Sequence, residues 1–409
     1  MQNIDSKIVF SGIRPGGCVQ PYLEGFTAEL ISAGYAVLSI RDYVRSASHL
    51  GRWLDSRKLD VGRLNEAVID DFAEHDCECP FIARRGRRLS RRYVSRARRF
   101  VAYLARLSVA PTMAASAPKR LPAPLTGFRA WMIQHRGVKG TTVDRCERLI
   151  EKMLPALGCD TERYSAAPVR RVFLREIDSL TRSYAKTYAT ALRTFLRFLA
   201  THGRCPPNLD RAIPTVPEWR LTALPRYLER NDIDRLIDSC DVSKSLGLRD
   251  RAILLLLVRL GLRAGDIVSM RIEDLDWQAG TLRVLGKGRK EVCLPLVQDA
   301  GDALLEYLVN ARPKIDCDRV FLCFNAPVRH FTNSSTVSGI VCSALRRAGI
   351  LNPPSKGAHL LRHSAATDML RSGASLDAIS TVLRHQSTDS TAYYAKVDIK
   401  MLSKILQSW

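Results

Sequence analysis

Six residues in the last third of the chain have types and an order that suit the breaking of a phosphodiester bond. Four of them can bind phosphate as cations, one adds a further imidazole, and a tyrosine follows that imidazole by nine residues: Arg263, Lys287, His359, Arg362, His385 and Tyr394. Together they predict the cutting and rejoining of DNA through a phosphotyrosine, without a metal ion.

The transition state of that reaction is a pentavalent phosphorane whose non-bridging oxygens carry additional negative charge. Planar guanidinium groups from two different elements can bind these oxygens bidentately. A tyrosine nucleophile stays attached after the cut, which conserves bond energy for rejoining. The departing 5′-oxygen needs a proton, and a lysine on a hairpin can deliver it. The sequence contains each of these parts.

Short motifs surround the six residues. They are Gly261-Leu-Arg263-Ala-Gly-Asp266, Leu285-Gly-Lys287-Gly-Arg-Lys290, His359-Leu-Leu-Arg362-His363, and Leu383-Arg-His385 followed by Ser390-Thr-Ala-Tyr-Tyr394. The spacing of His359 and Arg362 places both on one face of a helix. In this order and spacing, the C-terminal block resembles the tyrosine recombinase (phage integrase) family.

The resemblance implies a role for each position. Arg263 matches the first catalytic arginine and Asp266 the supporting acidic residue after it, while His359 and Arg362 match the family's His-x-x-Arg pair. The remaining matches are the general-acid lysine, the second histidine and the nucleophile: Lys287, His385 and Tyr394. Lys290 competes with the lysine and Tyr393 with the tyrosine, but the spacing from the second histidine favours Tyr394.

One position departs from the family. The chain has Leu383-Arg384-His385 where the family usually has Leu-Gly-His. Glycine there permits a tight backbone turn. We expect Arg384 either to add a phosphate contact or to change the approach of His385.

Proline-bearing stretches divide the chain into three blocks, in keeping with its 409 residues. The predicted fold is mainly α and multidomain: two N-terminal helical domains of the SAM-like, core-binding type and a C-terminal mixed α/β catalytic domain. The predicted limits are a DNA-binding domain over 1–110, a linker over 111–124, a core-binding domain over 125–205, a linker over 206–224 and the catalytic domain over 225–409.

The catalytic block changes character along its length. Helices are predicted at 229–238 and 248–260, followed by an antiparallel three-stranded sheet at 274–277, 281–285 and 291–294. Residues 286–289 suit the hairpin turn between the last two strands. Further on, Gly373 is a predicted helix end and Ser375 the start of the next helix.

The first two blocks show signs of duplication. Their closing helices align without gaps, Arg98-Arg-Phe100-Val-Ala-Tyr-Leu104 against Arg193-Thr-Phe195-Leu-Arg-Phe-Leu199. Amphipathic helices also resemble one another by chance, so this supports a repeated helical unit without proving it.

The net charge of +22, from 63 Lys and Arg against 41 Asp and Glu, favours a polyanionic partner. An arginine run in the first block, with almost no acidic residue inside it, adds to this. Part of the run is expected to be ordinary solvated surface. The predicted contacts to the DNA backbone are Arg84, Arg85, Arg87, Arg88, Arg91 and Arg92.

No cofactor, metal or membrane is predicted. Eleven scattered cysteines favour a reducing compartment, and the cluster of His75, Cys77 and Cys79 has no second ligand pair at zinc-site spacing. The longest apolar stretch, 252–262, is interrupted by Arg259 and is too short for a bilayer. A bacterial cytoplasmic, nucleoid-associated protein is expected.

The sequence therefore predicts a site-specific DNA recombinase or integrase that serves the integration or transposition of a mobile element. Two protomers would bind inverted half-sites of double-stranded DNA, and a homotetramer, with or without sister recombinases, would join two sites. The alternatives are relaxation of DNA by a type IB topoisomerase and a DNA-binding accessory protein without catalysis. Whether the first domain binds arm-type or core DNA stays open.

Overall fold

The computed structural model describes residues 9–75, 89–111, 121–138, 140–217, 225–285 and 291–384, together with Thr391 and Tyr394. The chain forms two compact units. One consists of Met1–Met113 and Ala223–Trp409, and the other of Ala114–Thr222. Among the described residues, no helix combines the length and the apolar content that a membrane span needs.

The first block is helical in its described part. A short 3-10 helix, Val61–Arg63, lies between its second and third helices. The α-helices are α1 (Gln20–Ser32), α2 (Val37–Ser56), α3 (Glu66–Glu74) and α4 (Arg91–Arg106). Their apolar faces meet in one core, which contains the fully buried rings of Phe26, Phe72 and Phe100.

The second block repeats the order of elements, again with a 3-10 helix, Thr161–Arg163, between its second and third helices. The α-helices are α5 (Phe128–Arg136), α6 (Gly140–Leu157), α7 (Ala166–Ile177) and α8 (Arg182–Thr201). Leu209 and Ile213, which belong to the predicted second linker, are buried in this core, and the Arg193 guanidinium donates to the Ile213 carbonyl at 2.9 Å.

Each of the two helical blocks has an equivalent aromatic contact within its own core. Phe100 on α4 meets Phe26 on α1 edge-on, with ring centroids 5.0 Å apart. In the second block Phe195 on α8 meets Phe128 on α5 edge-on at 5.7 Å. Phe100 and Phe195 occupy equivalent positions in the aligned closing helices, so the packing supports the duplication that the sequence suggests.

The core of the catalytic block is built around one apolar helix, α10. Residues 252–257 on it are all buried, which agrees with a helix that is hydrophobic on every side. The helices are α9 (Arg230–Asp238), α10 (Ser245–Arg259), α11 (Ala264–Ser269), α12 (Gln298–Glu306, continued by a π-helical turn), α13 (Ser334–Arg347), α14 (Ala358–Arg371) and α15 (Leu376–Leu383).

One antiparallel sheet, of order β1–β2–β3, completes the described part of this block. Its strands are β1 (Leu275–Asp276), β2 (Thr281–Leu285) and β3 (Glu291–Pro295), with Thr281 paired to Pro295 and Leu285 to Glu291. The mainly helical fold with a small three-stranded sheet confirms the predicted fold class. The predicted start of α15 is also confirmed, since the Ser375 hydroxyl accepts from the Ala378 amide at 3.1 Å.

Candidate active site

Arg263 is held at the turn between α10 and α11. Gly261 ends α10 with φ of +59°, and a Cβ there would lie 2.4 Å from Leu383 Cδ2, so only glycine fits. Arg263 then caps α11, where its backbone amide donates to the Asp266 carboxylate at 2.7 Å. Asp266 therefore fixes the main chain that carries the arginine.

Arg362 reaches the same place from α14. It is 3% exposed; its Nη1 donates to the Gly261 carbonyl at 2.5 Å and its Nη2 to the Leu383 carbonyl. Arg263 Nη2 donates to the carbonyls of Leu383 at 3.3 Å and Arg384 at 2.7 Å. Both guanidinium groups thus use carbonyls that the end of α15 leaves unpaired.

The two cations lie in an electrostatically costly setting. Burial, together with the charges of Arg263 and Arg384, lowers the pKa of Arg362 to about 10. Burial and the charge of Arg384 also lower the pKa of Arg263. Positive charge that has been concentrated and desolvated in this way is stabilised by an anion.

His359 stands one helical turn before Arg362, on the open side of this group. Its residue surface is exposed, but partial desolvation of its ring and the charges of Arg362 and Arg263 lower its pKa below 6.5. The neutral imidazole is therefore the favoured form at neutral pH. The sequence suggested that His359 binds phosphate as a cation. Its lowered pKa makes it better suited to exchange a proton.

Tyr394 is 2% exposed and packs its ring in a small apolar cluster with Ala366, Leu370, Ile379 and Leu383. Its hydroxyl lies 2.6 Å from His363 Nδ1 and can donate to it when that histidine carries its proton on Nε2. The phenol also raises the pKa of Arg362, which places it within electrostatic reach of that guanidinium. The described nucleophile candidate is thus brought to the arginine pair.

His363 is the residue that sequence reasoning missed. It follows His359 by four positions on α14, and the two rings meet edge-on with centroids 4.3 Å apart. That spacing, which puts both on one helix face, was the available signal. A histidine in a helix is usually an ordinary polar residue, so this spacing alone does not assign His363 a catalytic role.

The backbone conformation of Arg384 explains why the family usually has glycine at this position. It caps the end of α15 in the left-handed conformation, with φ 54° and ψ 51°, where glycine is favoured. Its guanidinium turns into the site and pairs with Asp266.

Two predicted catalytic residues, Lys287 and His385, lie outside the described residues, as do Lys290 and Tyr393. The strands that flank the lysine are described. Leu285 at the end of β2 and Glu291 at the start of β3 line a cavity of about 330 Å³ together with Asp266. The base of the hairpin is therefore close to the acidic brace of Arg263.

The comparison with known families decides the identity. The model of the phage integrase family matches residues 226–401, the range that contains all six predicted catalytic residues. The predicted integrase/recombinase y4rA of Sinorhizobium fredii is 33% identical over 402 residues, 97% of this chain and 95% of the relative. The tyrosine recombinase XerD of Listeria monocytogenes is 30% identical over 66% of this chain and 92% of its own length.

The chain belongs to the phage integrase family, the tyrosine recombinases.

Solved structures share the fold of this recombinase. A lambda integrase dimer bound to a core site is similar with a TM-score of 0.54 and 18% identity, over 68% of this chain and 96% of that one. The recombinase XerH bound to a palindromic difH substrate is similar with a TM-score of 0.53 and 20% identity, over 65% and 78% of the chains.

The arginine run of this recombinase divides into two parts. Arg84, Arg85, Arg87 and Arg88 lie outside the described residues, while Arg91 and Arg92 are exposed on the first turn of α4 and form no ion pair with the described part of the chain. The later arginines are neutralised by acidic residues of α1, α2 and α3: Arg96 by Asp42, Arg98 by Glu66 and Asp70, and Arg99 and Arg106 by Glu29. The run itself contains almost no acidic residue, but its later arginines have acidic partners that come from other helices.

Proposed function

We propose that this tyrosine recombinase cleaves and rejoins DNA at specific sites through a 3′-phosphotyrosyl bond to Tyr394. The observation that carries the proposal is the position of the Tyr394 hydroxyl. It lies 2.6 Å from the ring nitrogen of His363 and within electrostatic reach of the buried Arg362. A nucleophile, a base and a phosphate-binding cation are thus together.

The chemical step follows from this arrangement. Tyr394 Oη attacks the scissile phosphorus as its proton passes to His363 Nδ1. The bond from phosphorus to the 5′-oxygen breaks, and Lys287 protonates the departing oxygen. Arg263 and Arg362 bind the non-bridging oxygens, whose negative charge increases in the transition state.

Rejoining is the reverse step with a different strand. The 5′-hydroxyl of the partner strand attacks the phosphotyrosyl phosphorus, and the phenolate leaves and regains its proton. Bond energy is kept in the covalent intermediate, so neither ATP nor an external nucleophile takes part. Because Tyr394 is 2% exposed, binding of DNA must uncover the hydroxyl before attack.

Double-stranded DNA is the partner of this proposal. The net charge of +22 favours it, and solved structures of similar fold contain lambda integrase as a dimer on a core site and XerH on difH DNA. Two protomers bind inverted half-sites, and four protomers join two sites for the integration or transposition of a mobile element. Sedimentation of the complex should show four protomers for each pair of DNA duplexes.

The function is tested with a nicked suicide substrate that contains the DNA ends flanking the gene's own element. The wild type should form a covalent adduct that resists denaturation, and Tyr394→Phe should form none, because it lacks the nucleophilic oxygen. The control is Tyr184→Phe, which alters a tyrosine exposed on α8 and should leave the adduct unchanged.

The outcomes also separate the alternatives. Absence of an adduct from the wild type would favour a DNA-binding accessory protein. An adduct with relaxation of supercoiled DNA, but without exchange between two sites, would favour a type IB topoisomerase. Exchange between two sites supports the recombinase.

A further inference from the structure

Arg384 occupies a backbone position that an arginine does not favour. Its φ of 54° lies in the left-handed region, which side chains other than glycine and asparagine seldom adopt. Such conformations persist where the surrounding structure holds them in place, and they concentrate at functional sites. We therefore expect the side chain of Arg384 to have a role that compensates for this strain.

That side chain is buried in the active site. It is 4% exposed, and its Nη2 donates to the Asp266 carboxylate. Its Nε and Nη1 are also buried, yet neither has a hydrogen-bond partner among the described residues. Buried charged donors without an acceptor are unfavourable, so these two groups point to an acceptor that arrives with the substrate.

The charges of the site lead to the same conclusion. Within the described part of the chain, the charge of Arg384 lowers the pKa of both Arg263 and Arg362, so the three guanidinium groups lie close together. Asp266 is the carboxylate that pairs with this cluster there. Three positive charges against one negative charge leave an excess that a phosphodiester, and still more its dianionic transition state, would balance.

We propose that Arg384 is a third phosphate-binding guanidinium of this active site, which contacts the scissile phosphate through Nε and Nη1 while Nη2 remains on Asp266. This inference rests on the proposed function, because it assigns the anion to the reacting phosphate. Glycine, the usual residue of the family here, has no side chain and could not make this contact. The carbonyls of Leu383 and Arg384, which the same turn presents to Arg263 and Arg362, keep all three groups in register.

The first test measures binding of inorganic phosphate by its effect on the melting temperature at constant ionic strength. Arg384→Gly suits the test because glycine adopts the left-handed backbone without strain. Its phosphate dissociation constant should be about 10- to 100-fold higher than that of the wild type, the effect of losing charge-assisted hydrogen bonds. Arg384→Lys, which keeps the charge but not the fork, should lie between the two.

The control is Arg346→Gly, which removes an exposed arginine from the last turn of α13 and lowers the net charge equally. Its phosphate binding should equal that of the wild type. Equal affinity in Arg384→Gly and the wild type would overturn the proposal, and so would a wild type that binds no phosphate. A role of Arg384 as a mere brace of Asp266 would lower the melting temperature without changing phosphate affinity.

The second test measures the rate of adduct formation on the suicide substrate at saturating DNA. Arg384→Gly should reduce the rate by about 10- to 100-fold, because the missing contact acts on the transition state. If the wild type and Arg384→Gly form the adduct at equal rates, this role of Arg384 is refuted and the proposed function stays intact. A wild type that binds phosphate through Arg384 but never forms an adduct refutes the proposed function instead.

Discussion

In the proposed mechanism, the hydrogen bond between Tyr394 and His363 sets the route by which the tyrosine loses its proton. The His363 imidazole lies 2.6 Å from the phenol oxygen, and Arg362 supplies positive charge that stabilises the phenolate. A tyrosine is a weak nucleophile while it is protonated, so the base next to it should limit the rate.

Replacement of His363 by glutamine should therefore slow adduct formation by roughly 100- to 10,000-fold, because the amide cannot accept the phenolic proton as a base. The measurement is the rate of covalent adduct formation across a range of pH. In the variant, the remaining rate should rise with pH as hydroxide takes over. His330→Gln, which alters an exposed histidine, should behave as the wild type does. A wild-type rate in His363→Gln would exclude the base role.

The lowered pKa of His359 makes the stability of the catalytic domain depend on pH. Below its ordinary pKa of 6.5 the unfolded chain binds a proton on this histidine that the folded chain binds only at lower pH. The unfolding free energy should therefore fall as the pH decreases through 6.5. This contribution is complete above that value.

Comparison of the wild type with His359→Gln tests this prediction. On acidification from about pH 7.5 to about pH 5.5, the unfolding free energy of the wild type should fall more than that of the variant, because the variant lacks the titrating group. Urea denaturation at both pH values provides the measurement. Equal losses in the two proteins would show that His359 titrates normally.

At the scale of elements, helix α4 illustrates how one charged run serves two purposes. Its later arginines, such as Arg98, pair with acidic residues of neighbouring helices and so belong to the fold of the block. Its first two, Arg91 and Arg92, project from the opening turn without such partners in the described residues. Among the described arginines of α4, we expect Arg91 and Arg92 to contact DNA phosphates.

The double variant Arg91→Ala and Arg92→Ala should weaken DNA binding and reduce the slope of log affinity against log salt by about 2, roughly one for each phosphate contact. Its stability should hardly change. Arg98→Ala is the matched control: it should lower the unfolding free energy by at most about 1 kcal/mol, as exposed ion pairs do, and leave the slope unchanged. Salt titration of binding and urea denaturation give the two readings. An unchanged slope in the double variant would remove α4 from the DNA interface.

At the scale of the whole molecule, each helical block has its own core. Phe195 belongs to the core of the unit Ala114–Thr222, whereas its counterpart Phe100 belongs to the unit that includes the catalytic block. Damage to one core should therefore be confined to its unit. This distinguishes two independently stable units from one cooperative molecule.

Phe195→Ala should destabilise its unit by about 3–5 kcal/mol, because it leaves a cavity among rings that are fully buried. Hydrogen exchange should accelerate along α6 and α8 but stay unchanged in α10. Phe100→Ala should have the opposite distribution: hydrogen exchange should accelerate in α2 and α4 and stay unchanged in α6. Acceleration everywhere in both variants would show a single cooperative unit.

The sequence by itself determined the class of the protein and most of its elements. The six reactive residue types in one order identified the family, because phosphoryl transfer tolerates few substitutes for guanidinium and phenol. Strands β2 and β3 and helices α9 and α10 were predicted within a few residues, since their periodicity reflects backbone geometry that is local in the chain.

Only the tertiary structure decided what the reactive groups contact. Arg384 pairs with Asp266, which lies 118 positions away, and Arg362 donates to Gly261 at a separation of 101. The base role proposed for His363, the lowered pKa of His359 and the ion pairs of the later arginines likewise depend on neighbours from other segments. Spacing along the chain cannot predict such contacts, because burial and charge act through space.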